Sequence, residues 1–284
     1  MLKLGQFLLT IGGFFVLAAA PASIGIIKST GQFRVNGSAI PGNSNLFDGD
    51  MVETGDARSI IQIGAGRFTL LPESRAHIFG DRAVLEKGSG LLAGTQGYYC
   101  EAGAMRITPA AKNSVIRVEV SAPNRISVAT EAGSAEVRTS SGVLVASLRS
   151  GMALAFTPQG TGATDALRIR GTVESHDRKY FLTDATTNVR FELQGTGLAK
   201  YAGKQVEITG SSSPAASGVA GAVQVAHVIT INLAVVPVAA TAAAGISAAA
   251  TATATVVGGV AVTGTVVGLA AAGTFRHVVP ISNP

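Results

Sequence analysis

The sequence predicts a mainly β fold, and three observations support this prediction. First, short runs alternate apolar with polar residues, as in residues 60–71, where β-branched side chains are frequent. Second, the chain contains 35 glycines, many of which separate these runs where a chain would reverse. Third, residues 24–158 contain no long stretch with apolar side chains at helical spacing. We therefore expect stacked β-layers with a thin core, and helices only near the two ends of the chain.

The N-terminal segment, residues 1–22, carries the features of a secretory signal peptide. Lys3 is followed by an apolar run over residues 4–20, and small residues close the run up to Ser23. An uncleaved membrane anchor is the alternative, because charge returns only at Lys28 and the run could cross a bilayer of about 30 Å. Both interpretations predict an exported protein that is periplasmic or at the cell surface. Membrane anchoring would come from this segment if it stays uncleaved, or from the C-terminal segment described below.

Residues 46–74 hold the most informative pattern of the chain. The order Gly-Asp-x-Val-x-Thr-Gly is followed by a Ser four residues later, an alternating strand, a Gly turn, a second strand and Leu-Pro-x-Ser. This order resembles the FecR domain, a β-rich extracytoplasmic domain of bacterial envelope proteins. The matching residues are Gly49, Asp50, Val52, Thr54, Gly55, Ser59, Pro72 and Ser74.

The resemblance covers about residues 27–157 and implies a β-roll or β-sandwich there. Within this region, Asn36-Gly37 is suited to a type I′ hairpin turn. The resemblance implies a compartment and a binding role, and it implies no reaction. Only three residues precede the first apolar run, so we do not expect the control of a sigma factor across the membrane that is known for some members of the family.

Residues 158–166 are small, polar and turn-rich, which predicts a linker. Five alternating segments follow within residues 167–232, and they resemble small OB-like barrels appended to secreted bacterial proteins. The resemblance implies a five-stranded barrel of a fold whose exposed face can bind oligosaccharide or nucleic acid. Four cationic side chains alternate with apolar residues there and should point outward. We favour the interpretation that they form a solvated face over the alternative that they bind a ligand. They are Arg168, Arg170, Arg190 and Lys204.

Residues 233–275 are expected to hold one or two transmembrane helices. No Asp, Glu, Lys or Arg occurs between Glu207 and Arg276, and Ala, Val, Thr and Gly dominate the stretch. Gly264 and Gly268 form a GxxxG pair, which lets membrane helices approach closely. The alternative is an Ala- and Thr-rich tail that is disordered or β-prone.

Charge and composition argue against nucleic acid as a partner. The net charge is +5, but the 22 Lys and Arg residues are scattered without a run of three, whereas a nucleic-acid footprint needs clustered cations. Trp is absent, which limits aromatic stacking on bases. Cys100 is the single cysteine and cannot form an intramolecular disulfide. We expect it to be buried rather than to cross-link two chains.

Signatures of catalysis are missing from the sequence. The four histidines are dispersed, and no HExxH motif, nucleophile elbow, P-loop or pair of cysteines occurs. One acidic cluster could ligate Ca²⁺, but its Asp-Gly-Asp is typical of a polar turn, which we favour. The cluster consists of Asp48, Asp50, Glu53 and Asp56. We therefore expect no catalytic residue, no cofactor and no metal site.

The sequence thus predicts a non-enzymatic, envelope-anchored binding or assembly module that contacts a protein or glycan partner. A transmembrane sensor related to FecR is the first alternative, and it would need a cytoplasmic output. A secreted glycan-active enzyme is the second alternative. It would need an acid/base pair of carboxylates in a cleft, for which no spacing in the sequence argues.

Overall fold

The computed structural model describes residues 22–94, 97–121, 125–158, 167–214, 222–234, 255–257 and 260–265 of the 284-residue chain. These residues form 23 β-strands and one short 3-10 helix, Leu198–Tyr201. The prediction of a mainly β fold is confirmed. The predicted signal segment and the predicted linker lie outside the described residues, apart from residues 22 and 158.

The first sixteen strands build a unit of two sheets. In chain order, β1 to β16 are Gly25–Ser29, Phe33–Val35, Ser38–Ile40, Asn43–Leu46, Asp50–Thr54, Ser59–Ile63, Gly66–Leu70, Arg75–Ile78, Arg82–Gly94, Tyr99–Ala102, Met105–Pro109, Ser114–Ser121, Arg125–Ala132, Ser134–Thr139, Leu144–Arg149 and Ala153–Pro158. The first sheet has the order β4-β1-β6-β7-β9-β12-β13-β16. The second sheet has the order β3-β2-β5-β8-β9-β10-β11-β14-β15, and only its β9–β10 pair is parallel.

Strand β9 belongs to both sheets. Its first half pairs with β8 and β10 in the second sheet, and its second half pairs with β7 and β12 in the first. The crossing lies at Gly88, whose φ is 82°. A Cβ at this position would overlap the Oγ atom of Ser74, so both the backbone conformation and the close approach require glycine. The two sheets are therefore joined within a single strand.

The core lies between the two sheets. Alternate side chains of each strand face inward, and a single hydrophobic cluster contains Phe68 and Phe156 of the first sheet with Phe33 and Leu85 of the second. Each of these side chains is at most 1% exposed. The two sheets share one core, as the layers of a β-sandwich do, and this unit is called the sandwich below. Residues 27–157 are thus mainly β, as predicted, while the FecR-like β-roll or β-sandwich expected there stays a prediction.

The hairpin predicted at the Asn-Gly pair is also present. Asn36 and Gly37 join β2 to β3 as a two-residue loop, with φ values of 51° and 80°. Positive φ at both central residues is the hallmark of a type I′ turn, whose twist matches that of the flanking strands. This hairpin places β3 at the edge of the second sheet.

Two serines repeat the same arrangement at corners of the sandwich. The Oγ atom of Ser74 accepts the N–H of Ser89 at 2.8 Å, and the Oγ atom of Ser114 accepts the N–H of Ser134 at 3.1 Å. A glycine with positive φ precedes each partner serine and packs against the corner serine. The buried hydroxyls thus satisfy backbone groups where the chain leaves one strand and starts another.

The next five strands close into a barrel. In chain order, β17 to β21 are Leu167–His176, Lys179–Thr183, Arg190–Gln194, Gln205–Pro214 and Gln224–Leu233. They pair in the closed order β17-β18-β19-β21-β20-β17, in which only β19 and β21 are parallel, and the 3-10 helix lies between β19 and β20. The predicted five-stranded, OB-like barrel is confirmed.

The prediction of membrane helices is wrong for residues 255–257 and 260–265, because both segments are β-strands, which we call the C-terminal hairpin. Strands β22, Thr255–Val257, and β23, Val260–Thr265, pair with each other, and β23 pairs antiparallel with β16 of the sandwich. Val257 and Val262 are fully buried in the shared core. The β-branched Val and Thr residues favour a strand, and the last strand of the first sheet offers a free edge.

The prediction of membrane helices is not tested for most of the remaining residues of this segment. Leu233 ends β21, while residues 235–254 and 266–275 lie outside the described residues. In the part of the chain that is described, helices of the length and apolarity needed to span a bilayer are absent.

The barrel and the C-terminal hairpin both contact the sandwich. The N–H of Ser147 on edge strand β15 donates to the carbonyl of Thr187 at 2.8 Å, and the side chain of Gln224 donates to the carbonyl of Leu144. Strand β22 forms a bridge to β17 between Val256 and Arg168. These contacts cover the strand edges at one end of the sandwich. That sandwich and barrel fold as separate units stays a prediction.

Candidate binding groove

A groove of about 570 Å³ opens where β5 ends and β8 begins. It is lined by residues 32–34, 53–55 and 73–75, together with Ala39 and Lys87. These residues come from β2, β3, β5, β8 and β9 and the turns beside them, which are neighbours in the second sheet. Ligand pockets in proteins commonly have volumes of about 300–1,000 Å³. The groove is therefore large enough to bind a small molecule or a short chain segment.

The floor of the groove is held by buried hydrogen bonds. The hydroxyl of Thr54 donates to the carbonyl of Leu71 at 2.5 Å and accepts the N–H of Ser74 at 3.0 Å. The N–H of Thr54 donates to the carbonyl of Ser74 at 2.9 Å. Buried bonds of this kind fix the backbone firmly because few water molecules compete for them. Thr54 and Ser74 of the FecR-like pattern therefore shape the floor of the groove.

Charged side chains form a row across the strands beside the groove. Arg34 on β2 lies opposite Glu53 on β5, Glu53 lies opposite Arg75 on β8, and Arg75 lies opposite Lys87 on β9. The Nε atom of Arg75 is 2.6 Å from Oε1 of Glu53, and its Nη1 is 4.0 Å from a carboxylate oxygen of Glu86. The centre of this row is thus an ion pair that is flanked by two further cations.

Arg34 and Lys87 form no ion pair with any of the described residues. The same holds for Glu73, which also lines the groove. Glu73 has a φ of 55°, and its N–H donates to the carbonyl of Gly55 at 2.7 Å. The left-handed conformation costs a residue with a Cβ about 1 kcal/mol or more. The groove therefore combines two unpaired cations with one unpaired carboxylate on a strained backbone.

The acidic cluster considered as a calcium site serves separate contacts. Asp50 accepts the side-chain amide of Asn36 at 2.8 Å, and Asp48 accepts the N–H of Gly80 at 2.8 Å. Glu53 is held by its arginine partner in the groove. Within the ranges that the structure describes, no group of three or more His, Cys, Asp or Glu side chains is arranged to hold a metal ion. Asp50 thus ties the turn before β5 to the neighbouring hairpin.

The cations of the barrel lie on a largely neutralised surface. Arg168 and Lys204 are exposed, while Arg170 and Arg190 are half-buried. Arg168 pairs with a glutamate of β20 at 3.7 Å, and Arg190 pairs with a glutamate of β17 at 2.8 Å. Exposed pairs of this kind contribute little energy and compensate each other's charge. This arrangement agrees with a solvated face.

Cys100 is buried on β10, as expected from the sequence. Burial disfavours the thiolate and raises the pKa of the Cys100 thiol to about 12. The thiolate is the reactive form of cysteine, so this side chain is inert at neutral pH.

Asp184 is a buried carboxylate that the sequence analysis missed. It follows β18 in the barrel, and it accepts the N–H of Arg170 at 2.8 Å, the N–H of Thr187 at 2.8 Å and the hydroxyl of Thr187 at 2.8 Å. Burial raises the pKa of Asp184, and these hydrogen bonds oppose the rise. The Asp-Ala-Thr-Thr sequence, which is typical of a side-chain-capped turn, was the available signal.

Comparison with known proteins leaves the family open. No family model matches the sequence, and no curated protein matches it. Among solved structures, the chain is similar to a "putative anti-sigma factor" from Parabacteroides distasonis, with 9% sequence identity and a TM-score of 0.32. The similarity covers 38% of this chain and 54% of that chain, about half of its length. A TM-score of this size does not establish a common fold, and the FecR resemblance stays a prediction.

Proposed function

We propose that this protein is a non-enzymatic, envelope-anchored binding or assembly module that contacts a protein or glycan partner through the groove at β5 and β8. The single observation that supports this proposal most is the groove itself, with its three unpaired charged side chains, Arg34, Glu73 and Lys87. Charges that face solvent without an internal partner gain hydrogen bonds when a complementary ligand arrives.

The chemistry of the groove favours binding over catalysis. The Glu53 carboxylate is held at 2.6 Å by Arg75, and the Thr54 hydroxyl already serves two backbone groups. A general base or a nucleophile needs a free lone pair directed at a substrate, which neither group offers in this arrangement. Glu73, the other carboxylate of the lining, has no ion pair among the described residues, but a carboxylate acid/base pair needs two free groups in one cleft. This arrangement supports ligand binding as the role of the groove.

The envelope location in this proposal follows from the sequence. Residues 1–22 have the pattern of a signal peptide or an anchor, and residues 46–74 have the order of a FecR-like domain. Both features belong to exported proteins. A buried, unpaired cysteine is compatible with an oxidising compartment, because it is shielded from reaction.

A site-specific cross-linking experiment in cells tests this proposal. A photoreactive phenylalanine analogue replaces Ala39, which lines the groove, or Thr69, which lies on β7 in the other sheet. We expect an adduct with an envelope protein or with cell-wall glycan at position 39 only, in the membrane fraction. Equal adducts at both positions, or none at position 39 despite normal accumulation, would show that the groove is not the binding surface.

A further inference from the structure

We propose that the groove binds a short zwitterionic peptide, one with a free ammonium group and free carboxylates. This inference rests on the proposed function, since it names the ligand class of the same site. It follows from the signs of the unpaired charges, from their places on the strands and from the size of the groove. The signs and places of the charges argue against a neutral or a uniformly charged ligand, and the size of the groove argues against a folded domain.

The two cations supply sites for carboxylates. Arg34 lies on β2 and Lys87 on β9, at the two ends of the row that has the Glu53–Arg75 pair at its centre. Arg75 is already shared by two glutamates, so it offers a ligand little additional charge. A ligand carboxylate therefore gains most from Arg34, which can bind it in a bidentate manner, or from Lys87.

Glu73 supplies the site for the ammonium group. Its carboxylate lines the same groove, and its backbone is fixed by the 2.7 Å bond to Gly55. Glycine would occupy this left-handed position with less strain, as it does at other turns of the chain. Strain of this kind concentrates at ligand sites, where the surrounding structure stabilises it. The carboxylate at this turn thus points to a positively charged ligand group.

The size of the groove and the cost of desolvating its charges further limit the possible ligands. A groove of about 570 Å³ accepts a few amino-acid residues and is too small to enclose a folded domain. A neutral oligosaccharide would cover the three charges without pairing them, and the cost of that desolvation would reduce its affinity. A uniformly anionic ligand would face Glu73, and a uniformly cationic one would face the two cations. Only a ligand with both signs matches all three groups.

Isothermal titration calorimetry with three synthetic probes tests the inference on the full chain in detergent. The first probe is the tripeptide Ala-Glu-Lys with free termini. The second is N-acetylated and carries norleucine in place of lysine, so it has no ammonium group. The third is a C-terminal amide that carries glutamine in place of glutamate, so it has no carboxylate. We expect each blocked probe to bind at least tenfold more weakly than the free tripeptide. Chitotetraose is titrated in parallel as a neutral glycan.

Substitutions in the protein test which charged side chain binds the ammonium group of the peptide and which bind its carboxylates. Glu73→Gln should weaken the free tripeptide about tenfold and leave the N-acetylated probe unchanged, because that probe has no ammonium group to lose. Arg34→Met combined with Lys87→Met should weaken the free tripeptide and leave the amide probe unchanged. Lys28→Met, on β1 of the first sheet, is the matched control and should change nothing.

Two results would overturn the inference. Equal binding of all three peptides would show that the charges do not recognise the ligand, and preferential binding of chitotetraose would replace the peptide by a glycan. In either case a position-39 cross-link would still support the proposed function. Loss of that cross-link would refute both proposals, so the two failures are distinguishable.

Discussion

The sandwich and the barrel deal with free strand edges in different ways. The barrel closes on itself, because β17 pairs with β20 and β19 pairs with β21. The sandwich stays open, and its last strands are covered from outside: β16 by the C-terminal hairpin and β15 by the barrel. The stability of the barrel is therefore local in sequence, whereas that of the sandwich depends on residues near the end of the chain.

The largest effect is expected from disrupting the pairing between β16 and β23. Val262→Asp places a charge at a fully buried position of β23 and should lower the free energy of unfolding by about 4 kcal/mol. Hydrogen exchange followed by mass spectrometry should show lost protection in β13 and β16 and retained protection in β17 to β21. Ala261→Asp, one residue earlier and only half-buried, is the control and should have a small effect. Equal loss of protection in the barrel would contradict the proposed difference between the units.

The second largest effect is expected at Gly88, where strand β9 crosses from one sheet of the sandwich to the other. Residue 88 has a φ of 82°, and Gly88→Val would place a Cβ against the Oγ atom of Ser74. The substitution should lower the free energy of unfolding, measured by urea denaturation, by about 3 kcal/mol. Gly142→Val is the matched control, because Gly142 has a φ of 86° and a Cβ there would meet no described atom within 4 Å. If both substitutions cost the same, backbone strain would explain the effect and the corner serine would not.

The smallest effect concerns the barrel. Asp184→Asn keeps one acceptor oxygen, so we expect a loss of about 1 kcal/mol at pH 7. Because burial raises the pKa of Asp184 above its ordinary value of 3.8, the folded protein binds this proton more tightly than the unfolded chain does. The stability that Asp184 contributes is therefore fully present below pH 3.8 and falls as the pH rises through the folded pKa.

Urea denaturation between pH 3.5 and 7 tests the sign of this dependence. Asparagine does not titrate, so the cost of Asp184→Asn should shrink as the pH rises across this window. Ala185→Asn, at the exposed position next to Asp184 in the same turn, is the control and should leave the pH dependence as in the wild type. A cost that grows with pH would mean that the hydrogen bonds to Asp184 outweigh its burial.

Much of the fold could be predicted because strand alternation is a local property. The five alternating segments predicted within residues 167–232 correspond to the five strands β17 to β21, and the Asn36-Gly37 turn has the predicted conformation. The wrong prediction of membrane helices for residues 255–257 and 260–265 has a physical reason. Runs of Val, Thr, Ala and Gly occur both in membrane helices and in strands, so their composition does not distinguish the two. Pairing with β16 selects the strand here, and β16 lies far away in sequence.

The groove could not be predicted from the sequence, because it is an arrangement of distant residues. Arg34, Glu73 and Lys87 each have the sequence context of an outward-facing polar residue beside a strand or a turn. Their convergence depends on the order β2-β5-β8-β9 in the second sheet, which local periodicity does not determine. The strain at Glu73 could not be predicted either, since a Leu-Pro-x-Ser turn does not by itself specify a left-handed residue.

The pairing of β16 with β23 has a consequence for the order of synthesis. Ala155 on β16 leaves the ribosome long before its partner Thr263 on β23, and the whole barrel is made in between. During that interval the backbone groups of β16 that face away from β13 are unpaired, which is the condition under which strand edges recruit other chains. A nascent chain that stalls or is truncated before residue 255 is therefore exposed to aggregation through the sandwich, even when its barrel is complete.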